Sequence, residues 1–315
     1  MAVTLVEAAK LSQTSLQRGV IETFVQESSI LDRIPFMTIE GNAYAYNEEA
    51  TLPGVAFRSV NEAYTESTGT VNQKSESLVI LGGDADVDKF IVRTRGNLND
   101  QRAVQTRMKV KAASYKFQDT FFNGDVTVDT KAFDGLKKRL TGAQVIDADT
   151  NGMGPVTGGH DFLDVLDAAI ARVPGINASN GAIYANAGAI ARIRSATRRL
   201  GGETMVREAL TQKMVATYNG LPLLDPGQTA AGADILPQTE TQGSASGTAS
   251  SIYIVKFGQD EGDRAVTGLT NGGVQVDDLG QLQEKPAYRT RIEFYTGLAV
   301  FGGRAAARIR GVLNS

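Results

Sequence analysis

The sequence predicts an α+β fold in which one long helix lies between a β-rich region and a segment of alternating helices and strands. Three observations lead to this prediction. Residues 97–123 contain no Gly or Pro and repeat apolar side chains at helical spacing. Residues 36–90 carry short strand patterns bounded by turn residues. Residues 155–235 alternate between helical and strand-like stretches, and strand patterns return near the C-terminus.

The composition is that of an ordinary globular protein. The chain has 315 residues, of which 42% are hydrophobic and 21% charged, so wholesale disorder is not expected. The formal net charge of −3 gives no strong basic balance that would indicate a nucleic-acid-binding protein. Cysteine is absent, which excludes disulfides, thiolate metal sites and thiol nucleophiles. Neither a signal peptide nor a membrane-spanning run of about 18 apolar residues is present.

The first 35 residues predict an N-terminal arm. Residues 4–26 place apolar side chains at helical spacing, although Gly19 interrupts the pattern and Pro35 ends it. The pattern fits a helix packed on the core of its own subunit, and it fits equally an arm that reaches a neighbouring molecule.

The next region predicts a projecting hairpin. Residues 48–76 are polar and rich in turn residues, with few side chains that could fill a core. Loops of this length are uncommon inside compact domains, so a long antiparallel hairpin is the simplest solution. Residues 78–81 that follow it predict a short buried strand.

The long helix is predicted to be unbroken over residues 97–123, which at 1.5 Å per residue span roughly 39 Å. Asn97 is its expected cap, and Asn123 with Gly124 is expected to end it. The predicted apolar stripe consists of Ala103, Val104, Met108, Ala112, Tyr115 and Phe122. The helix also carries Arg102, Arg107, Lys109, Lys111 and Lys116. These basic residues indicate a solvated face, or alternatively nonspecific contact with DNA.

The second half of the chain predicts a separate α/β core followed by further strands. Helices are expected at residues 133–140, 161–173 and 187–200, with Asn186 capping the last of these. Strands are expected at residues 182–185, 214–218, 252–255, 274–276 and 288–295, the last with one solvated face. Residues 239–251 are low in complexity and predict a flexible segment.

Residues that could carry catalysis are few. His160 is the only histidine, so a histidine-based triad could use only this position, and we expect it to be a surface residue. The pair Gly152 and Gly154 lacks the third glycine of a dinucleotide-binding loop, since Thr157 stands there. No Gly-Lys pair exists, so the phosphate-binding loop of nucleotide hydrolases is absent. Residues 243–247 have Ala at the centre, where a nucleophile elbow requires Ser.

Three alternating aspartates are the strongest candidate for a metal site. Asp84, Asp86 and Asp88 could suggest calcium, but a calcium loop would place Gly at Lys89 and Glu at Arg95. Alternation on a strand puts the three side chains on one face, and we expect that face to be solvated. No catalytic, cofactor-binding or metal-binding residue is therefore predicted, and no cofactor. A carboxylate-dependent hydrolase that uses these aspartates stays open as an alternative of another class.

The order of elements, with several short sequences, resembles the major capsid proteins of tailed bacteriophages, which have the Hong Kong 97 fold. Residues 46–54 with Phe57 and Arg58 look like the outgoing limb of the family's E-loop hairpin. Residues 121–125 resemble the end of its spine helix. The stretches that resemble the entry to its A-domain and the strands and helix within it are residues 133–136, 184–186, Gly201 and 220–223.

The resemblance implies five regions. They are the N-terminal arm (1–35), the E-loop hairpin with flanking P-domain strands (36–90), the P-domain with the spine helix (91–154), the A-domain (155–235), and an exit from the A-domain with a flexible segment and a return to the P-domain sheet (236–315).

The resemblance also implies a function and partners. The expected role is non-enzymatic self-assembly into the icosahedral head shell of the virion around double-stranded DNA, in the host bacterial cytoplasm. Implied partners are copies of the chain as pentamers and hexamers, a portal protein, an optional decoration protein and DNA bound nonspecifically, with no membrane. Because only about 35 residues precede the hairpin, we expect a separate scaffolding protein and no large N-terminal cleavage. An encapsulin-like compartment shell, which shares the fold and encloses cargo enzymes, is the alternative.

Overall fold

The computed structural model describes residues 28–95, 101–148, 160–199, 204–207, 214–242 and 245–313. The predicted amphipathic segment 4–26, the cap at Asn97 and the glycines of residues 152–154 lie outside these ranges. The α-helices of the described residues are α1 (Lys89–Arg95), α2 (Gln101–Asn123), α3 (Leu136–Arg139), α4 (His160–Ala171) and α5 (Ala187–Arg199). None of them is long and apolar enough to cross a membrane.

Two sheets and one hairpin hold the strands. The strands of the first sheet and the hairpin that precedes it are β1 (Phe36–Thr38), β2 (Ala43–Thr51), β3 (Thr70–Ser77), β4 (Val79–Asp88), β12 (Val266–Gln281) and β13 (Ala287–Val300). Those of the second sheet are β5 (Val145–Asp147), β6 (Gly181–Tyr184), β7 (Thr204–Arg207), β8 (Met214–Tyr218), β9 (Leu221–Leu224), β10 (Glu240–Gln242), β11 (Ala245–Lys256) and β14 (Ala306–Leu313).

The first sheet has the order β1-β12-β13-β4, with β1 parallel to β12 and the other pairs antiparallel. Along β13, the side chains of Thr290, Ile292 and Phe294 are buried, while their neighbours in the chain are partly exposed. This alternation confirms the predicted strand with one solvated face. The buried side packs under α2, where the Phe294 and Phe117 rings lie 6.1 Å apart.

Helix α2 is unbroken, as predicted, over the described residues 101–123. The predicted apolar stripe is correct at Phe122, which is buried, but wrong towards the N-terminus of the helix, because Val104 is 39% and Met108 is 61% exposed. The buried face instead runs through Thr106, Val110, Ser114, Phe117 and Phe121. The sequence holds two overlapping helical patterns, and the face with two phenylalanines and small polar residues fits closely against the sheet.

The second sheet has the order β5-β14-β11-β6-β9-β8-β7, with β10 paired to β11. Helices α4 and α5 and strands β6 and β8 lie where the sequence predicts them. Asn186 caps α5 by accepting a hydrogen bond from the Ala189 amide at 2.8 Å. A buried cluster joins these helices to the sheet through Phe162, Leu166, Ile183 and Ile254.

The flexible segment predicted at residues 239–251 is wrong. Its described residues form β10 and the first half of β11, which pairs with β14. Ala249, Ser250 and Ser251 are buried, and the Ser250 hydroxyl donates to the Leu236 carbonyl at 3.2 Å. Small side chains can be buried between neighbouring strands when their hydroxyl groups are hydrogen-bonded. The low-complexity composition of this segment therefore goes with close packing.

An aromatic cluster joins the two sheets into one core. The Phe122 ring at the end of α2 lies 5.5 Å from Tyr184 in β6 and 5.0 Å from Tyr253 in β11. Both tyrosines are buried. The long helix is thus fixed at its C-terminal end by the second sheet and along its length by the first.

Candidate assembly interface

The hairpin formed by β2 and β3 projects from the first sheet. Its strands pair antiparallel from Ala43 with Ser77 to Thr51 with Thr70, where the two hydroxyl oxygens lie 2.6 Å apart. Every residue from 51 to 69 is exposed. The structure therefore confirms the projecting hairpin.

The tip of the hairpin, residues 52–69, presents apolar side chains to solvent. Val55 is 94% exposed and the Phe57 side chain is fully exposed. The other large apolar side chains of the tip are Leu52, Val60 and Tyr64, each at least 68% exposed. Contacts within the tip are local: Ser67 donates to the Gly54 carbonyl, hydrogen bonds close a turn from Arg58 to Glu62, and the Arg58 guanidinium lies 5.2 Å from the Tyr64 ring. Exposed apolar side chains grouped on one projection indicate a surface that another molecule covers.

The base of the hairpin is anchored in the subunit. Tyr46 is 5% exposed and packs edge-to-face on Phe301, with ring centroids 4.9 Å apart. Burial raises the pKa of the Tyr46 phenol to about 12. On the returning strand, both carboxylate oxygens of Glu76 accept from the Arg139 guanidinium, at 2.5 and 2.7 Å. The base thus belongs to the core, whereas the side chains of the tip are exposed.

The start of β4 differs from its prediction. Strand β4 is an edge strand of the first sheet, and Ile80 is 73% exposed, so the expectation of a buried strand at residues 78–81 is wrong. Ile80 lies at a cleft of about 570 Å³ between the hairpin base and the loop of residues 126–134. An edge strand also presents unpaired backbone groups, which adds to the surface open to a neighbour.

The three alternating aspartates do not form one cation site. Asp86 binds Arg289 through two hydrogen bonds, at 2.7 and 2.8 Å. Asp84 binds Arg291 in the same way, at 2.8 and 3.0 Å. Asp88 instead caps α1 by accepting from the Phe90 amide at 2.7 Å. Within the described residues, no group of three or more histidine or acidic side chains is placed to hold a metal ion.

This face of the sheet is therefore the solvent-facing side that the sequence predicts, and it carries a ladder of ion pairs between β4 and β13. Hydrogen bonding to Arg291 lowers the pKa of the Asp84 carboxyl, and bonds from Arg289 and Lys285 lower that of Asp86. Both aspartates stay ionised at neutral pH, where they tie β4 to β13.

We expect the double substitution Asp84→Asn/Asp86→Asn to lower the melting temperature by a few degrees at pH 7. Because the folded-state pKa of each carboxyl lies below the unfolded value of about 3.9, the stabilisation is present above pH 4 and is lost as pH falls through the folded pKa. The difference between wild type and variant should therefore shrink on acidification below about pH 4. Thermal melts between pH 3 and pH 7 at low salt measure it, and a constant or growing difference would contradict the assignment.

His160 is the first residue of α4, and its side chain lies outside the described part of the chain. The Arg139–Glu76 ion pair and the Tyr46–Phe301 contact were not predicted from the sequence, because each joins residues that lie far apart in the chain. The alternation of Tyr44 and Tyr46 with small residues was the available signal that this stretch of β2 packs against something.

The sequence and the structure both compare well with capsid proteins. The family model of the major capsid protein GP7 matches residues 12–157, slightly less than half of the chain. No curated protein matches. Among solved structures, the chain is similar to the holo-SrpI encapsulin complex from Synechococcus elongatus PCC 7942, with 20% identity and a TM-score of 0.66 over 100% of this chain and 98% of that one.

Phage-type capsids are similar as well. The capsid of the native GTA particle is 12% identical, with a TM-score of 0.63 over 96% of this chain and 92% of that one. The Mycobacterium phage Bobi structure is 14% identical, with a TM-score of 0.59 over 96% of this chain and 97% of that one. These likenesses establish the fold, and the family match adds the role. The protein is a shell-forming capsid protein with the Hong Kong 97 fold.

Proposed function

We propose that the protein builds the icosahedral head shell of a tailed phage around double-stranded DNA, with pentamers and hexamers as its building units. The observation that carries this proposal is the apolar hairpin tip, which its own subunit leaves uncovered. Burying Val55, Phe57 and Val60 against a neighbour would remove apolar surface from water, which favours association. If each copy offers a tip to the next, the contact is heterologous, and it generates a closed ring where the rotation between copies closes.

The proposal includes the finer features that the resemblance implies. The protein acts structurally and is not an enzyme. It assembles in the host bacterial cytoplasm with a separate scaffolding protein and a portal protein, and a decoration protein is an optional addition. The division into N-terminal arm, hairpin, P-domain, A-domain and return to the P-domain sheet is part of the same proposal, with the correction that residues 245–251 lie in β11.

An encapsulin-like compartment is the second candidate, because the fold match to an encapsulin covers the whole chain. The match to the capsid family model over residues 12–157 favours the phage head. The two candidates differ in content, since a phage head holds DNA and a compartment holds protein.

Expression of the full chain with the scaffolding and packaging proteins of its genome should give closed particles of uniform diameter in electron micrographs. After external nuclease treatment, these particles should retain double-stranded DNA. Particles that carry a single bound enzyme and no nucleic acid would favour the compartment. A monomer that never assembles would contradict both candidates.

A further inference from the structure

The two faces of the first sheet differ in charge. On β13, Leu298 and Val300 belong to the core cluster under α2, whereas Ala299 and Phe301 belong to the cluster under Tyr46. Because successive side chains of a strand point to opposite faces, α2 and the hairpin lie on opposite sides of the sheet. Arg289 and Arg291 fall on the hairpin side, where aspartates neutralise them.

Helix α2 carries an excess of positive charge. It contains five basic residues and one acidic residue, a net charge of +4, whereas the whole chain has −3. Every charged residue from 102 to 116 is basic. The buried face of the helix points at the sheet, so the exposed Arg107, Lys111 and Lys116 point away from it.

The basic side chains of α2 differ in their contacts within the subunit, and Arg107 and Lys116 are both exposed. Arg102 is paired with Asp278 at 2.6 Å, and the Lys111 ammonium lies 5.5 Å from the Tyr115 ring. Among the described residues, Arg107, Lys109 and Lys116 form no ion pair. The side chain of Lys109 lies over Gly83 of β4, where a Cβ would stand 3.2 Å from its Cδ and 3.4 Å from its Nζ, so this lysine is held against the sheet.

We propose that this basic face of α2 lines the shell interior and binds the phosphate backbone of the enclosed double-stranded DNA. The inference rests on the proposed function, because it assigns the inside of the shell to the sheet side that does not carry the hairpin. From Arg107 to Lys116 the helix rises by about 14 Å, so its charges can meet several phosphates of one strand. The charged ends of lysine and arginine side chains on the surface of a helix can contact the phosphate backbone of DNA without reading its base sequence.

DNA fits this face better than an acidic protein does. A tightly bound acidic protein would be expected to cover a contiguous apolar strip as well, but Met108 and Val104 are the large exposed apolar side chains of α2. Scattered exposed apolar residues are normal on a protein surface. The main feature of this face is its positive charge, which is what binding to the phosphate backbone of DNA requires.

The test compares three full-length proteins: wild type, Arg107→Gln/Lys111→Gln/Lys116→Gln, and the control Lys131→Gln/Lys137→Gln/Arg304→Gln. The control removes the same charge from exposed positions off the helix. Binding of a fluorescent 20-bp duplex of random sequence to the unassembled subunit is measured by anisotropy across NaCl concentrations, because a closed shell would keep the duplex away from its inner surface. Electron microscopy of each protein reports closed shells separately.

The helix variant should reduce the slope of log K against log[NaCl] by about 3 and weaken binding at least tenfold at low salt, with shells unchanged. Lys116→Gln alone should reduce the slope by about 1, which keeps the test valid if the triple variant misfolds. Equal slopes in wild type and helix variant, or the same loss in the control, would overturn the inference.

A 20-residue polyglutamate peptide, titrated in the same way, tests whether an acidic protein is the partner of this face. If it binds the wild type more tightly than DNA does and loses affinity in the helix variant, the face binds protein and the inference is overturned. Wild-type chain that forms no closed shell under any condition would overturn the proposed function itself, whatever the DNA titration shows.

Discussion

Replacing residues 50–72 with a short Gly-Ser linker is expected to abolish closed shells while leaving a folded subunit. Residues 51–72 of this stretch are all exposed, so their loss uncovers little core. Tyr46 on Phe301 and Glu76 on Arg139 remain, and they keep the base of the hairpin in place. What disappears is the apolar tip that we propose to be buried between subunits.

Two variants that keep the full length of the tip test whether its apolar side chains are what assembly requires. Val55→Ser/Phe57→Ser/Val60→Ser should reproduce the loss of shells, whereas Thr65→Ala/Thr68→Ala on the same tip should assemble normally. Electron microscopy counts the closed particles, and thermal melting follows the fold. Normal shells from the deletion would show that the hairpin is dispensable. Loss of the melting transition would show that the tip is part of the subunit core.

The largest effect on stability is expected at Phe117, where Phe117→Ala should lower the free energy of unfolding by about 3–5 kcal/mol. This ring is fully buried at the centre of an aromatic cluster. The rings of Phe36, Phe133 and Phe294 lie 6.1, 5.9 and 6.1 Å away, so truncation leaves a cavity between them.

Met108→Ala on the same helix is the matched control. Its side chain is 61% exposed, so truncation should change stability by about 0.5 kcal/mol or less. Urea unfolding of the unassembled subunit measures both variants. A larger loss at Met108 than at Phe117 would mean that α2 packs through the stripe predicted from the sequence and not through the face seen in the structure.

The elements with strong local signals were predictable from the sequence. Helix α2 lacks Gly and Pro, Asn186 caps α5 as its position suggests, and the polar stretch before Leu78 forms the hairpin. The resemblance to capsid proteins rests on the order of these elements, and the fold bears that order out. The domain boundaries stay a prediction.

The sequence predictions that were wrong or missing concern features that depend on contacts between distant parts of the chain. The spacing of Val104 and Met108 fits a helix face as well as that of Val110 and Phe117, and only the sheet decides which face is buried. Strand β14 was missed because its Ala and Arg residues give little strand signal, yet its pairing with β11 holds it in the second sheet. Ser250 and Ser251 looked flexible because their partners, Leu236 and Glu240, are set by the fold.

The most direct test of the assembly account is an electron cryomicroscopy map of closed particles made from the full-length chain. We expect density for the hairpin tip against a neighbouring subunit, with Val55, Phe57 and Val60 buried in that contact. The same map should place the exposed face of α2 on the inner surface. A closed shell in which residues 52–69 project freely into solvent would show that the hairpin does not join the subunits.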